Sequence, residues 1–215
     1  MNKILNINLG GYPFTIDDDA YVQLNKYLSA IENHFSTSEG CEEIIEDIEV
    51  RMAELFNDAL NGRSIIGTKE LEEVIAVMGK PEDFGATSWE EEPIKEEKYR
   101  EYDHRRIKTG KRLFRDPDDK VLGGVCSGIA AYFGIEDPLW IRILFIVLFV
   151  SGISALVYFF LWAIVPVAKT TSDKLRMKGE AATVSNIAKS IEEELKDLSK
   201  KITEIGKDLS SKKKF

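Results

Sequence analysis

The stretch that decides the architecture is Lys120–Val150, KVLGGVCSGIAAYFGIEDPLWIRILFIVLFV. It opens as a glycine-rich helix and closes as hydrocarbon. Gly124 and Gly128 stand in a Gly-x-x-x-Gly spacing, which bares backbone on one helix face and lets another helix or a lipid surface approach closely. Ile129, Tyr132 and Phe133 give the helix an apolar body, and Pro138 separates it from the hydrocarbon segment. Two readings stand side by side: a helix positioned to sense the membrane or neighbouring helices, and a packing helix with no signalling role.

From Ile143 to Val167 no residue is charged, a run of 25. At about 1.5 Å per residue this run is long enough to cross a bilayer interior of roughly 30 Å. Trp140 and Trp162 lie near its two ends, where amphipathic rings prefer to sit, and Arg142 is placed to snorkel. One kinked span over 143–167 is expected. The alternative is a re-entrant hairpin turning at Gly152, which requires protein to cover its backbone polar groups.

The charge pattern works outward from this middle. Residues 1–97 carry seven Lys/Arg against 22 Asp/Glu, net −15; residues 98–180 are net +5 and residues 181–215 net +2. An acidic head, a basic and apolar middle and a mildly basic tail point to a membrane or a partner rather than to one compact enzyme. Arg105, Arg106, Lys108, Lys111, Arg112, Arg115 and Lys120 precede the apolar run. Without a helix-turn-helix or zinc-finger context, they read as juxtamembrane attraction to anionic lipid rather than as a nucleic-acid surface. The same bias, with no signal peptide at the N-terminus, places the head in the cytoplasm.

Residues 1–86 read as a domain. KILNINLGGYPFTI alternates around Gly10-Gly11, a strand, a turn and a second strand. Three amphipathic helices come next: one with Tyr21, Leu24, Tyr27, Ile31 and Phe35 on a stripe, one with Ile44, Ile48, Met52, Phe56 and Leu60, and a third capped by Thr68. The carboxylates of EEIIEDIEVRMAE form a solvated acidic face, with a metal or acid–base cluster as the competing reading. Residues 87–111 are a charged linker. Cys41 and Cys126 support neither a disulfide framework nor a zinc spacing, and each reads as a small buried hydrophobe.

In the tail, 181–210, Val184, Ala188, Ile191, Leu195, Leu198, Ile202, Ile205 and Leu209 step by four and three without a break. This heptad seam predicts a coiled coil and a homo-oligomer through the tail; the competing reading is an amphipathic helix lying on a membrane or on the head. The fold class expected is mainly α: a soluble helical head with a β hairpin, a glycine-rich helix plus transmembrane helix over 112–168, and a coiled-coil tail.

Residues 112–167 resemble the phage-shock protein C (PspC) domain. The resemblance is carried by RLFRDPDDKVLGGVCSGIAAYFGIEDPLWIRILFIVLF and LVYFFLWAIVP, with Gly124, Val125, Cys126, Gly128, Ile129, Ala130, Tyr132, Phe133, Gly134, Asp137, Pro138, Arg142, Leu161, Trp162 and Pro166 in the family's places. It implies a non-catalytic regulator in the bacterial inner membrane, acting with phage-shock proteins that sense membrane damage. A zipper-like tail suits the type member, whereas the long head departs from it. That head resembles small helical sensor modules of bacterial membrane regulators in YLSAIENHF, EEIIEDIEVRMAELF and ELEEVIAVMGKPEDF. No cofactor, metal or catalytic residue is expected. The interaction residues expected are Gly124, Gly128, Tyr132, Phe133, Arg142 and Gly152, with the seam Ile191, Leu195, Leu198, Ile202, Ile205 and Leu209. The partners expected are membrane lipid and other membrane or peripheral regulators. Two other classes remain as alternatives: a subunit of a transport or channel assembly, and an enzyme with its site in the acidic head. His34 and His104 are the sole histidines, and no H-E-x-x-H, G-x-S-x-G or P-loop pattern occurs.

Overall fold

The computed structural model describes residues 3–85, 110–149 and 154–212. They are mainly helical, with one small sheet of three strands. The chain divides into two compact units, Met1–Ile107 with Thr183–Phe215, and Lys108–Ala182.

In the first unit, β1 (Ile4–Leu9) and β2 (Tyr12–Asp17) pair antiparallel, with Leu9 opposite Tyr12. Gly10 and Gly11 take φ +54° and +84°, the left-handed pair that a two-residue hairpin turn of matching twist requires. A third strand, β3 (Ile65–Ile66), joins β2 in parallel. Two residues are too few to show alternation, so this strand is invisible in the sequence. The inner face of the sheet supplies Leu9, Phe14, Ile16 and Ile66 to the core.

Against that face pack α1 (Asp18–Phe35), α2 (Cys41–Leu60) and α3 (Thr68–Met78). The stripe of α1 is rotated slightly from expectation: Ala20 is buried and Tyr21 is exposed. Thr68 is the first residue of α3, not its cap. Gly67 precedes the helix, and its N–H donates to Glu70 Oε2 at 3.0 Å. Tyr27 is fully buried, and its hydroxyl donates to the Gly79 carbonyl at 2.7 Å. Burial, and secondarily the Asp83 carboxylate, push its phenol well above the usual range. A 3-10 turn, Pro81–Phe84, ends the head.

The tail is one helix, α8 (Val184–Lys212), and it belongs to this unit. Val184, Ile187, Ala188 and Ile191 are buried, and the helix packs on α2 and on the 3-10 turn. Gly40 makes the approach feasible: a Cβ there would stand 2.6 Å from Leu195 Cδ1 and 3.3 Å from Ile191 Cγ2. Beyond that point Leu198, Ile202 and Ile205 are 54%, 69% and 59% exposed. The expectation of a separate coiled-coil tail over 181–210 is therefore revised. The first half of the seam is spent on the head in cis, because the i, i+3, i+4, i+7 pattern of a heptad is equally the pattern of a helix packing on a globular core. The Leu209 side chain lies outside the described residues.

The second unit contains α4 (Val125–Phe133), α5 (Leu139–Phe149), α6 (Ser154–Ile164) and α7 (Thr171–Lys178). The sequence suggested one span over 143–167, whereas the described residues hold two helices of 11 residues each. No helix among the described residues is long and apolar enough to cross a membrane. The halves pack on each other: the Phe145 and Tyr158 rings meet edge-on with centroids 5.4 Å apart. A continuous helix would separate residues 13 apart by roughly 20 Å. A single-pass arrangement of one helix is thus replaced by a folded-back pair. Gly152 and the greater part of the 87–111 linker lie outside the described residues.

Candidate functional site

The base of the α5–α6 pair is held by one short extended segment. The Arg115 backbone N–H donates to the Pro166 carbonyl at 2.8 Å, and the Ala168 N–H donates to the Arg115 carbonyl at 3.0 Å. The chain therefore enters and leaves the helical pair side by side. The Arg115 side chain reinforces this. Its Nε donates to the Val165 carbonyl at 2.8 Å, its Nη1 to the Gly123 carbonyl at 3.4 Å, and its guanidinium lies 5.5 Å from the Trp162 ring centroid. A planar fork that can donate in two directions and stack is a role for arginine, not lysine. Charge counting placed Arg115 among lipid-attracting residues; the structure makes it a clamp on backbone carbonyls.

The glycines of α4 serve the same segment. A Cβ at Gly128 would collide with the Phe114 carbonyl oxygen, and one at Gly124 with that of Asp116. Gly124 also holds φ +76°. The space where a Cβ would stand on each is filled by the unit's own Phe114–Asp116. Phe114, Ala168 and Met177 cluster beneath, with Ala131 of α4 packed against them.

Between Asp116 and Gly124 the chain makes a tight loop. Asp116 Oδ1 accepts the N–H groups of Asp118 (2.9 Å) and Asp119 (3.4 Å), an Asx turn. Asp119 then faces α5 and pairs with Arg142 at 2.6 Å, while its carbonyl accepts the Ser127 hydroxyl at 2.6 Å. Arg142 thus has a protein partner at the edge of the apolar run. Asp137 Oδ1 accepts the Leu139 N–H at 2.9 Å where α5 begins. The Tyr158 hydroxyl donates to the Leu122 carbonyl and ties α6 to the loop.

These elements enclose a groove of about 710 Å³, lined chiefly by apolar side chains of the loop, α5 and α6. Cys126 borders it, and burial raises its thiol above the usual range, with Arg142 opposing. The pair is rich in exposed hydrophobes: thirteen large apolar side chains from Leu139 to Ile164 are 43–75% exposed, and ten of them lie outside the groove lining. Phe133 is 70% and Tyr132 38% exposed, their rings edge-on at 5.4 Å, with Lys111 Nζ 5.9 Å from the Tyr132 centroid. Of the expected interaction residues, Arg142 alone lines the groove with Gly124; Tyr132 and Phe133 lie on the outer side of α4.

Residues 111–168 match the PspC domain family. The chain carries a PspC domain. No curated protein and no solved structure matches the chain. The PspC match covers the clamp, the glycine helix, the groove and both helices of the folded pair, and it associates the chain with phage-shock-type stress responses. Arg115, Asp119 and Tyr158, which shape the site, were missed in the sequence. Each is an ordinary residue for its surroundings, and spacing alone does not reveal which carbonyl it reaches. In the acidic head, no group of His, Cys, Asp and Glu among the described residues could hold a metal ion.

Proposed function

We propose that this protein is a membrane-anchored regulator of a phage-shock-type envelope stress response, acting through protein–protein contacts, with α5 and α6 inserted as a hairpin into one leaflet of the bacterial inner membrane. The observation that carries this reading is the uncharged, outward-facing hydrophobic surface of the folded pair. Soluble monomers rarely expose apolar patches beyond a few hundred Å². Each helix of 11 residues is about 16 Å long, roughly half the bilayer interior. The Arg115–Val167 pairing at the base supports a hairpin that returns to the side it entered from. Lys111, Arg112 and Lys120 stand where anionic headgroups would meet them. Head and tail then share the cytoplasmic face. The acidic head and the exposed second half of α8 are the surfaces offered to regulatory partners, including a second copy through the tail.

Topology tests the reading. Fluorescent reporters fused before Met1 and after Phe215 should both be active, alkaline phosphatase at either end should be silent, and the protein should resist extraction by alkaline carbonate. Phosphatase activity at Phe215 would establish a full span instead, and recovery in the carbonate supernatant would remove the membrane assignment.

A further inference from the structure

We infer that the groove between the 119–124 loop, α5 and α6 is a seat for one acyl chain of a bilayer phospholipid, with the headgroup phosphate at the Arg142 end. This deepens the membrane reading and rests on it.

The chemistry of the walls selects the ligand. Val121, Leu122, Phe145, Ile146, Phe159 and Trp162 supply a continuous apolar lining. Two hydroxyls of the lining already donate within the protein: Ser127 to the Asp119 carbonyl, and Tyr158 to the Leu122 carbonyl. The lining is predominantly apolar, so water would be held there poorly. An empty space of about 710 Å³ would leave the lining without contacts on one side, and the volume lies within the range of pockets that bury a small ligand.

Geometry selects the source. The groove opens between two helices whose outer surfaces are uncharged and exposed, so a chain can enter sideways from the bilayer without crossing water. The charged pair at the groove is Asp119–Arg142, with side chains 52% and 26% exposed, which places it at the mouth. There the guanidinium can share a lipid phosphate while its partner keeps it oriented. Lys120 comes directly after Asp119 and adds positive charge at that level. The 119–124 loop belongs to neither helix of the pair, yet it forms one wall through Val121 and Leu122. A lipid seated here would therefore connect the bilayer to the loop that α4 and Arg115 hold in place.

The test uses the full-length protein in nanodiscs of phosphatidylethanolamine and phosphatidylglycerol, doped with a phosphatidylcholine bearing a mid-chain diazirine. After irradiation, peptide mapping should find lipid adducts on the groove residues Leu122, Phe145 and Tyr158 as well as on the outer residues Leu144, Val147 and Phe160. Ala155→Phe, which places a ring in the groove, should lower the groove adducts at least fivefold and leave the outer adducts unchanged; unchanged outer adducts also show that the variant is folded and inserted. Adducts on the outer residues alone would overturn the groove and leave the membrane reading standing. Groove adducts undiminished in Ala155→Phe would likewise overturn the seat. No adducts on either face would remove both.

Discussion

Ile187 separates the two fates of the tail. In the heptad register that carries Ala188, Ile191, Leu195 and Leu198, Ile187 falls outside the seam, so a tail used solely as a zipper gains little from it. In the structure Ile187 is fully buried, on the helix that packs on α2 and the 3-10 turn of the head. Ile187→Ala removes three carbons from a closed site, and such truncations cost about 2–5 kcal/mol, the transfer term plus the cavity left behind. Ile202→Ala makes the same chemical change where the side chain is 69% exposed, and it should stay within about 0.5 kcal/mol. Urea unfolding of the full chain in detergent, combined with hydrogen exchange at Val184–Leu195 and at the amides of α2, reads both. Ile187→Ala should lower the free energy of opening of the first half of α8 by at least about 2 kcal/mol and expose the start of α2 near Gly40. Equal effects of the two substitutions, whether both small or both large, would refute cis docking of the tail.

The geometry fixes three further outcomes. Gly128→Ala presses a methyl against the Phe114 carbonyl, a backbone atom that cannot swing away, and should destabilise the PspC unit by about 1–3 kcal/mol in detergent melts; a neutral change would mean that the extended segment does not lie on α4. Arg115→Lys keeps the charge but loses the fork to the Val165 and Gly123 carbonyls, which should cost about 1–3 kcal/mol and open the 117–124 loop to protease, whereas Lys111→Ala should leave protection intact. Tyr27 has a folded-state pKa above its unfolded value of about 10, so its contribution is complete below pH 10 and is lost as the pH rises above that. Melting temperature should fall as the pH rises from about 10 to about 11.5, and fall less steeply in Tyr27→Phe, which at neutral pH should cost about 1 kcal/mol for the hydrogen bond to Gly79.

Much of this protein was legible in its sequence because the signals are local. Alternation around Gly10-Gly11 specifies a hairpin, and three-and-four spacing specifies the buried stripes of α1 and α2. The ordered glycines, Arg142 and Trp162 mark the PspC segment. Such patterns establish which face of an element is apolar. They leave open what covers it, and there the tertiary structure decided. The uncharged run is long enough for one span, yet Phe145 meets Tyr158, because side-chain packing and the Arg115 clamp favour the turn back. The two glycines promise a close approach by some neighbour, and the neighbour is the chain's own Phe114–Asp116. The heptad runs unbroken from Val184 to Leu209, yet its first half is buried on α2 while Leu198, Ile202 and Ile205 stay exposed. Periodicity is a property of a single helix, whereas burial depends on a surface 155 residues away in the chain, where Gly40 leaves room for Leu195.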